Sequence, residues 1–180
     1  MKRCKWVNLN NKKYIDYHDN EWGKEEHNDR MLFELLILEG FQAGLSWECI
    51  LNKREYFRKA FDNFDYIKIS KYENKKINEL LNNQSIIRNK LKINAAITNA
   101  KIFINIQKEF GTFDKYIWSF TNYKVVKNID DNLKITSEIS DKVAKDLKKR
   151  GMKFVGSIII YSYLQAIGII DDHELNCDFY

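Results

Sequence analysis

Four residues near the two ends of the chain have the side chains of a zinc site. Cys4 and His18 lie near the N-terminus, and His173 and Cys177 lie near the C-terminus. The last two are spaced H-x-x-x-C, so one helical turn would aim both at the same ion. The four form a Cys2His2 set with no open coordination position, so the zinc would be structural and would join the chain ends. The alternative is a spare thiol and surface histidines.

A second candidate site is a carboxylate on the apolar face of a predicted helix. Glu39 follows Leu32 by seven residues and Leu36 by three, so the three side chains share one face. A carboxylate buried there must find partners or shift its pKa upward. Electron-rich rings around an acid suit a flat, cationic ligand. The alternative is that the tryptophans belong to the core and Glu39 makes a structural hydrogen bond. The rings are those of Trp6, Tyr17, Trp22 and Trp47.

A third candidate is the segment KKRGMKFVG, residues 148–156, between two predicted helices. It has a basic helix end, a turn bounded by glycines and a new helix N-terminus, which is the pattern of a helix-hairpin-helix. Backbone N–H groups and the helix dipole can hold a DNA phosphate there, and basic side chains add affinity that is independent of sequence. The alternative is an ordinary helical hairpin with a solvated basic face. The candidate DNA contacts are Lys149, Arg150, Gly151, Lys153 and Gly156.

Helical periodicity supplies the elements that must position these residues. The segment Tyr123–Ile135 has no clear period and is predicted to be a loop. The fold class is therefore all-α, with many short helices. Asp29, Ser46 and Thr112 can each cap the helix that begins there. The predicted helices run from Asp29 to about Glu39, from Ser46 to about Phe61, from Ile87 to Phe110, from Thr112 to Phe120, from Asp141 to Arg150 and from Ser157 to about Ile167.

Composition sets limits on the class of protein. The 180 residues are 44% hydrophobic and 14% aromatic, which predicts one folded domain spanning residues 1–180. Three cysteines without a secretion signal favour a reducing compartment, and we expect the cytoplasm. A net charge of +5 fits a nucleic-acid partner but does not require one. The apolar stretch Phe154–Ile170 contains polar residues and is short for a membrane span, so we expect a buried helix.

Several segments, taken together and in order, carry a family resemblance. They are RCKW at 3–6, YHDNEWG at 17–23, LEGFQAGLSW at 38–47, IIRNKLKI at 86–93, WSF at 118–120, KRGMKFVG at 149–156 and the closing His173 and Cys177. Over nearly its whole length the chain resembles the 3-methyladenine DNA glycosylase I family, the constitutive bacterial type. The second and third segments are too long and unusual to agree by chance. The departures, Ser85, Met152 and Ser157, lie outside the predicted pocket.

The resemblance implies a fold, a reaction and a set of site residues. The fold would be that of the helix-hairpin-helix glycosylases, with the hairpin at about residues 141–168. The reaction would be hydrolysis of the N-glycosidic bond of 3-methyladenine in double-stranded DNA, which starts base excision repair. The resemblance assigns one structural zinc to Cys4, His18, His173 and Cys177, the pocket acid to Glu39, and the base contacts to Trp6, Tyr17, Trp22 and Trp47.

These residues suggest a mechanism. Glycosylases reach their target by flipping the base out of the stack, and methylation at N3 makes adenine cationic, so aromatic faces favour it. Glu39 would accept from the exocyclic amine, Tyr17 would add a hydrogen bond, and guanine, with an oxygen at that position, would be rejected. Asp171 and Asp172 adjoin a zinc ligand and are assigned no role.

Three other functions remain open at this point. One is a non-catalytic protein that binds alkylated DNA with the same fold. The second is a zinc metallohydrolase, which would need an open metal position. The third is a glycosylase with a wider substrate range that also takes 3-methylguanine. We expect a monomer, because a glycosylase engages one lesion at a time.

Overall fold

Helices make up most of the computed structural model, which describes residues 1–129 and 134–180. Nine α-helices and one 3-10 helix, Asp62–Phe64, lie in these two ranges. The predominance of helix is as predicted. The α-helices are α1 (Lys12–Asn20), α2 (Asp29–Gln42), α3 (Trp47–Ala60), α4 (Tyr66–Ile69), α5 (Asn74–Asn82), α6 (Lys90–Phe110), α7 (Phe113–Ser119), α8 (Glu138–Lys149) and α9 (Ser157–Ala166).

Polar side chains begin most of these helices by accepting the free N–H groups of the first turn. Ser46 caps α3 and Thr112 caps α7, as the sequence predicts. At α2 the cap is Asn28, and the predicted cap, Asp29, is the first helical residue. The Asp29 carboxylate instead accepts the backbone N–H groups at the start of α7, so it joins two helices.

Several predicted boundaries were wrong by a few residues. Helix α2 continues three residues beyond Glu39, to Gln42. Helix α6 begins at Lys90 instead of Ile87, and α8 begins at Glu138 instead of Asp141, because Asn89 and Ser137 supply the caps. Helices α1, α4 and α5 and the 3-10 helix were not predicted, since each has at most nine residues, which is short for a test of helical periodicity.

Helix α2 lies at the centre of the fold. Each residue from Leu32 to Phe41 is buried, because α2 packs against α3, α6, α7 and α9. A helix that is covered on all sides is apolar around its whole circumference. Two acids, Glu34 and Glu39, interrupt that pattern and are buried with the rest of the helix.

A short parallel sheet, which was not predicted, adds to the helical fold. Strand β1 (Val126–Lys127) pairs with β2 (Ile170–Asp171), with Val126 opposite Ile170. The N–H of Val126 donates to the carbonyl of Ile169 at 2.9 Å. The predicted loop Tyr123–Ile135 therefore contains a strand, which a two-residue length hides from any test of periodicity. Residues 130–133 of that loop lie outside the described residues.

The apolar stretch near the C-terminus forms α9, as expected of a buried helix. Its residues Ile160, Tyr163 and Leu164 are fully covered. Within the two described ranges, no helix has both the length and the apolar character needed to cross a membrane.

Candidate active site

A cavity of about 280 Å³ opens beside the C-terminal half of α2. Its walls contain all five residues that were predicted to line the pocket. These residues come from the N-terminal segment, from α1 and the turn after it, and from α2 and α3. They are Trp6, Tyr17, Trp22, Glu39 and Trp47. The structure therefore brings together side chains that are as far apart in sequence as residues 6 and 47.

Glu39 is the acidic group of this cavity. Its side chain is buried, and Oε2 has no hydrogen-bond partner among the described residues. Burial raises the pKa of this carboxyl from 4.5 to about 8, because a charged carboxylate loses the solvation of water. A buried acid was expected either to find hydrogen-bond partners or to have a raised pKa, and Glu39 has the raised pKa.

Aromatic rings form the walls around Glu39. Trp6 packs edge to face against Trp22, with their ring centroids 4.8 Å apart. The ring centroids of Tyr17 and Trp47 are 5.3 Å apart. Trp6 is 37% exposed while the other three rings are buried, so Trp6 lies at the mouth of the cavity. The indole Nε1 of Trp47 is buried without a partner among the described residues. The cavity thus offers both an acid and an N–H donor to a ligand.

Local structure explains how these side chains reach the cavity. Tyr17 and His18 are consecutive residues near the end of α1, so they point in different directions. Tyr17 lines the cavity, and His18 faces the cysteines near the chain ends. The backbone N–H of Trp22 donates to the carbonyl of Tyr17 at 2.9 Å, which folds the chain back after the helix.

Helix α9 supplies one wall of the cavity that was not predicted from the sequence. Helical spacing on an apolar helix was read as core packing, although Tyr161 and Gln165 are one turn apart on the same face. Tyr14 stands one turn before Tyr17 on α1, and this spacing could have identified it. The unpredicted lining residues are Tyr14, Gln42, Lys134, Ile135, Ile158, Tyr161, Ser162 and Gln165.

The candidate zinc ligands also gather at one place. The ligand atoms of Cys4, His18 and Cys177 all lie within 4.8 Å of one another, and all three residues are buried. His173 lies beside this group, with its ring centroid 5.3 Å from that of His18. The segment from His173 to Cys177 contains no helix, so the predicted helical turn was wrong; Cys177 belongs to the cluster and His173 lies beside it.

The chemistry of this cluster fits a metal ion. The Nε2 atom of His173 is buried and has no partner among the described residues. Burial raises the pKa of the Cys4 thiol and lowers the pKa of His18. A thiol buried in this way needs a nearby cation to lose its proton, whereas neutral imidazole is already the form that binds metal.

A carboxylate orients each of the two imidazoles. The Nδ1 atoms of His18 and His173 lie 2.8 Å and 2.7 Å from oxygens of Asp19 and Asp171. Such a carboxylate fixes the ring and leaves Nε2 as the atom that could bind a metal ion. Gly23 permits this packing, because a Cβ there would lie 2.6 Å from Cε1 of His173.

Lys149 is the last residue of α8, and the other hairpin candidates lie between α8 and α9. Lys149 and Lys153 are exposed. Gly156 is the N-cap residue of α9 and no side chain caps this helix, so N–H groups of its first turn stay available to a ligand. Arg150 is engaged inside the protein. It forms ion pairs with Glu109 and Asp146, each at 2.6 Å.

Comparison with known proteins gives a consistent result. The sequence profile of the methyladenine glycosylase family matches residues 6–180. The DNA-3-methyladenine glycosylase of Haemophilus influenzae is 42% identical over 178 residues, which are 97% of this chain and 96% of that protein.

Solved structures agree with the sequence comparison. A crystal structure of a 3-methyladenine DNA glycosylase I has a TM-score of 0.94 and 42% identity, and the match covers 98% of each chain. A structure of the Staphylococcus aureus enzyme, solved to explain recognition of 3-methyladenine, has a TM-score of 0.93 and 31% identity. That match covers 99% of this chain and 96% of the other.

Proposed function

The chain belongs to the methyladenine glycosylase family, and from this premise we propose that it is a DNA-3-methyladenine glycosylase. It hydrolyses the N-glycosidic bond of 3-methyladenine in double-stranded DNA and so starts base excision repair. The observation that carries the assignment is a buried, unpartnered carboxyl group in an aromatic cavity. A damaged base leaves the stack more readily than a normal one, which is one source of selectivity.

Glu39 and the rings bind the flipped base. The cationic purine stacks among Trp6, Trp22 and Trp47, whose faces attract positive charge. Glu39 accepts from the exocyclic amine, and Tyr17 adds a hydrogen bond. Because burial raises the pKa of Glu39 to about 8, the empty pocket holds a neutral acid near pH 7. A bound cation offsets that burial and favours the carboxylate.

The chemical step needs little acid or base catalysis. The alkylated base carries a positive charge, so it departs as a neutral molecule when the bond to C1′ of the sugar breaks. Water supplies the oxygen that bonds to C1′, and its proton passes to solvent. Binding of the cation and strain on the glycosidic bond supply most of the rate. A guanine oxygen facing Glu39 would meet an acceptor in place of a donor, so guanine lesions bind poorly.

A structural zinc ion fits the cluster at the chain ends. Cys4, His18, His173 and Cys177 would hold it, and the ion would stabilise thiolates that burial otherwise disfavours. With four protein ligands the metal would have no open position for substrate. It would hold the N-terminal segment, which carries Trp6, against the C-terminus.

DNA contacts would come from a helix-hairpin-helix built from α8, α9 and the turn between them. Lys149 and Lys153 would contact phosphates, while Gly151 and Gly156 would let the backbone approach them closely. The ion pairs of Arg150 give that residue a role in holding α8 to α6. The protein would act as a monomer, in one domain of residues 1–180.

Identification of the released bases tests this proposal. Purified protein is incubated with methylated duplex DNA, and the products are separated by chromatography. Release of 3-methyladenine, with 7-methylguanine left in the DNA, is the expected result. Release of both bases would keep the glycosylase but contradict selection by Glu39. A folded, zinc-loaded sample that binds methylated DNA and releases no base would instead indicate a non-catalytic binding protein.

A further inference from the structure

Asp172 lies directly behind the α9 wall of the cavity. Its Oδ2 atom accepts a hydrogen bond from the Tyr161 hydroxyl at 2.9 Å and another from Nε2 of Gln165 at 2.6 Å. Both donors line the cavity that contains Glu39. A carboxylate that sequence analysis left without a role therefore holds two side chains of the candidate active site.

The hydrogen bonds of Asp172 are unevenly divided between its two oxygens. Both donors converge on Oδ2, while Oδ1 is buried with no partner among the described residues. An unpaired buried oxygen is unfavourable for folding, so this arrangement does not serve the stability of Asp172 itself. What it fixes is the orientation of the two donors. The pairing of β2 with β1 holds the backbone just before Asp172 in place.

The Gln165 amide can adopt one orientation only. A carboxylate offers acceptors and no donor, so Nε2 must face Asp172. The carbonyl oxygen Oε1 then points away from Asp172, so it is the acceptor that the amide can offer to a ligand in the cavity. The backbone of Gln165 also accepts from the N–H of Gly23 at 3.0 Å, which places it beside Trp22 and the other base-binding rings.

We propose that Asp172 is a positioning residue that makes Gln165 a hydrogen-bond acceptor, and so favours a cationic base in the cavity. This inference rests on the proposed function. The negative end of the amide dipole faces the positively charged nucleotide and stabilises it. With Asp172 removed, the amide can rotate and turn its N–H groups toward the cation, which reduces that preference.

Four variants test this role: Asp172→Ala, Gln165→Ala, the double variant and Asp172→Asn. We expect Asp172→Ala and Gln165→Ala each to lower kcat/KM for 3-methyladenine excision about tenfold, the effect of losing one hydrogen bond. The double variant should lose no more than either single variant, because both changes remove the same interaction. Asp172→Asn should stay within about threefold of wild type, since its carbonyl oxygen can replace Oδ2 and accept both donors.

Neutral DNA provides the control that separates positioning from general damage to the fold. Affinity for a duplex with a tetrahydrofuran abasic analogue, which has no cationic base, should stay unchanged in all four variants, as should zinc content. Additive losses in the double variant, or an Asp172→Asn variant as impaired as Asp172→Ala, would overturn the proposal. A wild-type protein that releases no base would refute the proposed function instead.

Discussion

Two acids on helix α2 are equally buried and have opposite surroundings. Glu34 is fully buried and accepts hydrogen bonds from Arg54 at 2.6 Å and from Arg58 at 2.7 Å. Glu39 is 3% exposed, and its Oε2 atom has no partner among the described residues. Burial alone therefore does not identify a functional carboxyl. An unpaired oxygen on the wall of a cavity does, because a ligand can complete its hydrogen bonds.

The ionic network around Glu34 has a structural purpose. Arg54 also pairs with Glu21 at 2.6 Å, so the network joins the end of α1 to α2 and α3. Glu21 precedes Trp22 in the chain, and the network thereby supports the segment that carries one wall of the cavity. One atom of this network, Nη2 of Arg54, is also buried without a described partner, but Arg54 is not on the cavity wall.

Removing the charge of Glu34 should produce the largest loss of stability. Glu34→Gln leaves two arginines without their buried counter-charge, which costs roughly 3–5 kcal/mol of unfolding free energy. Urea unfolding measures the loss, with Glu138→Gln, a position whose side chain is 92% exposed, as the control. The folded fraction of Glu34→Gln should still excise 3-methyladenine. Native stability in this variant would show that the network is dispensable.

Loss of a zinc ligand should have the next largest effect. Like Glu39, His173 has a buried atom without a described partner, and here we propose that the missing partner is a metal. For zinc at a hundredfold excess over Kd, removal costs about 3 kcal/mol. Cys177→Ser should contain no zinc, as measured by elemental analysis, and should melt at a lower temperature than wild type. The control variant Cys49→Ser should keep the wild-type zinc content and melting temperature. A Cys177→Ser protein with full metal content at normal stability would refute the assignment.

Mutation of Glu39 should affect stability in the opposite direction from mutation of Glu34 or Cys177, because burial raises the pKa of Glu39. In the folded protein the pKa of Glu39 is about 8, against 4.5 for a solvent-exposed glutamate, so between these limits the folded state keeps a proton that the unfolded chain has released. This contribution to stability is lost as pH rises through that window. Glu39→Gln does not titrate, so its Tm relative to wild type should rise from pH 4.5 to about 8 and then level off.

That pH dependence is measured by calorimetry in buffers of matched ionic strength. The exposed control Glu138→Gln should follow the wild-type curve throughout. A constant difference in Tm between Glu39→Gln and wild type across the window would mean that Glu39 ionises normally in the folded protein.

The exposed hairpin lysines should give the smallest effect. Each of Lys149→Ala and Lys153→Ala should reduce the slope of log affinity against log salt by about 1 for any duplex. Fluorescence anisotropy at several salt concentrations measures this slope, with the exposed Lys71→Ala as the control. An unchanged slope in both hairpin variants would place the DNA elsewhere on the surface.

The contrast between the two acids also marks what the sequence can predict. Local signals identified the caps Ser46 and Thr112, and the position of Glu39 on an apolar face indicated its burial. The partners of Glu34 were not predictable, because Arg54 and Arg58 lie on another helix and ion pairing depends on tertiary packing. The role of Asp172 was missed for the same reason, since its hydrogen-bond donors lie on α9. The strands β1 and β2 have two residues each and lie far apart in the sequence, so they show no alternating pattern that would predict them.

Recognition of the base by Glu39 is tested most directly by single-turnover kinetics on methylated DNA. Glu39→Gln should excise 3-methyladenine about a hundredfold more slowly than wild type, the usual cost of losing one preorganised group in an active site. It should keep its zinc and be no less stable. Excision at the wild-type rate by this folded variant would contradict the account.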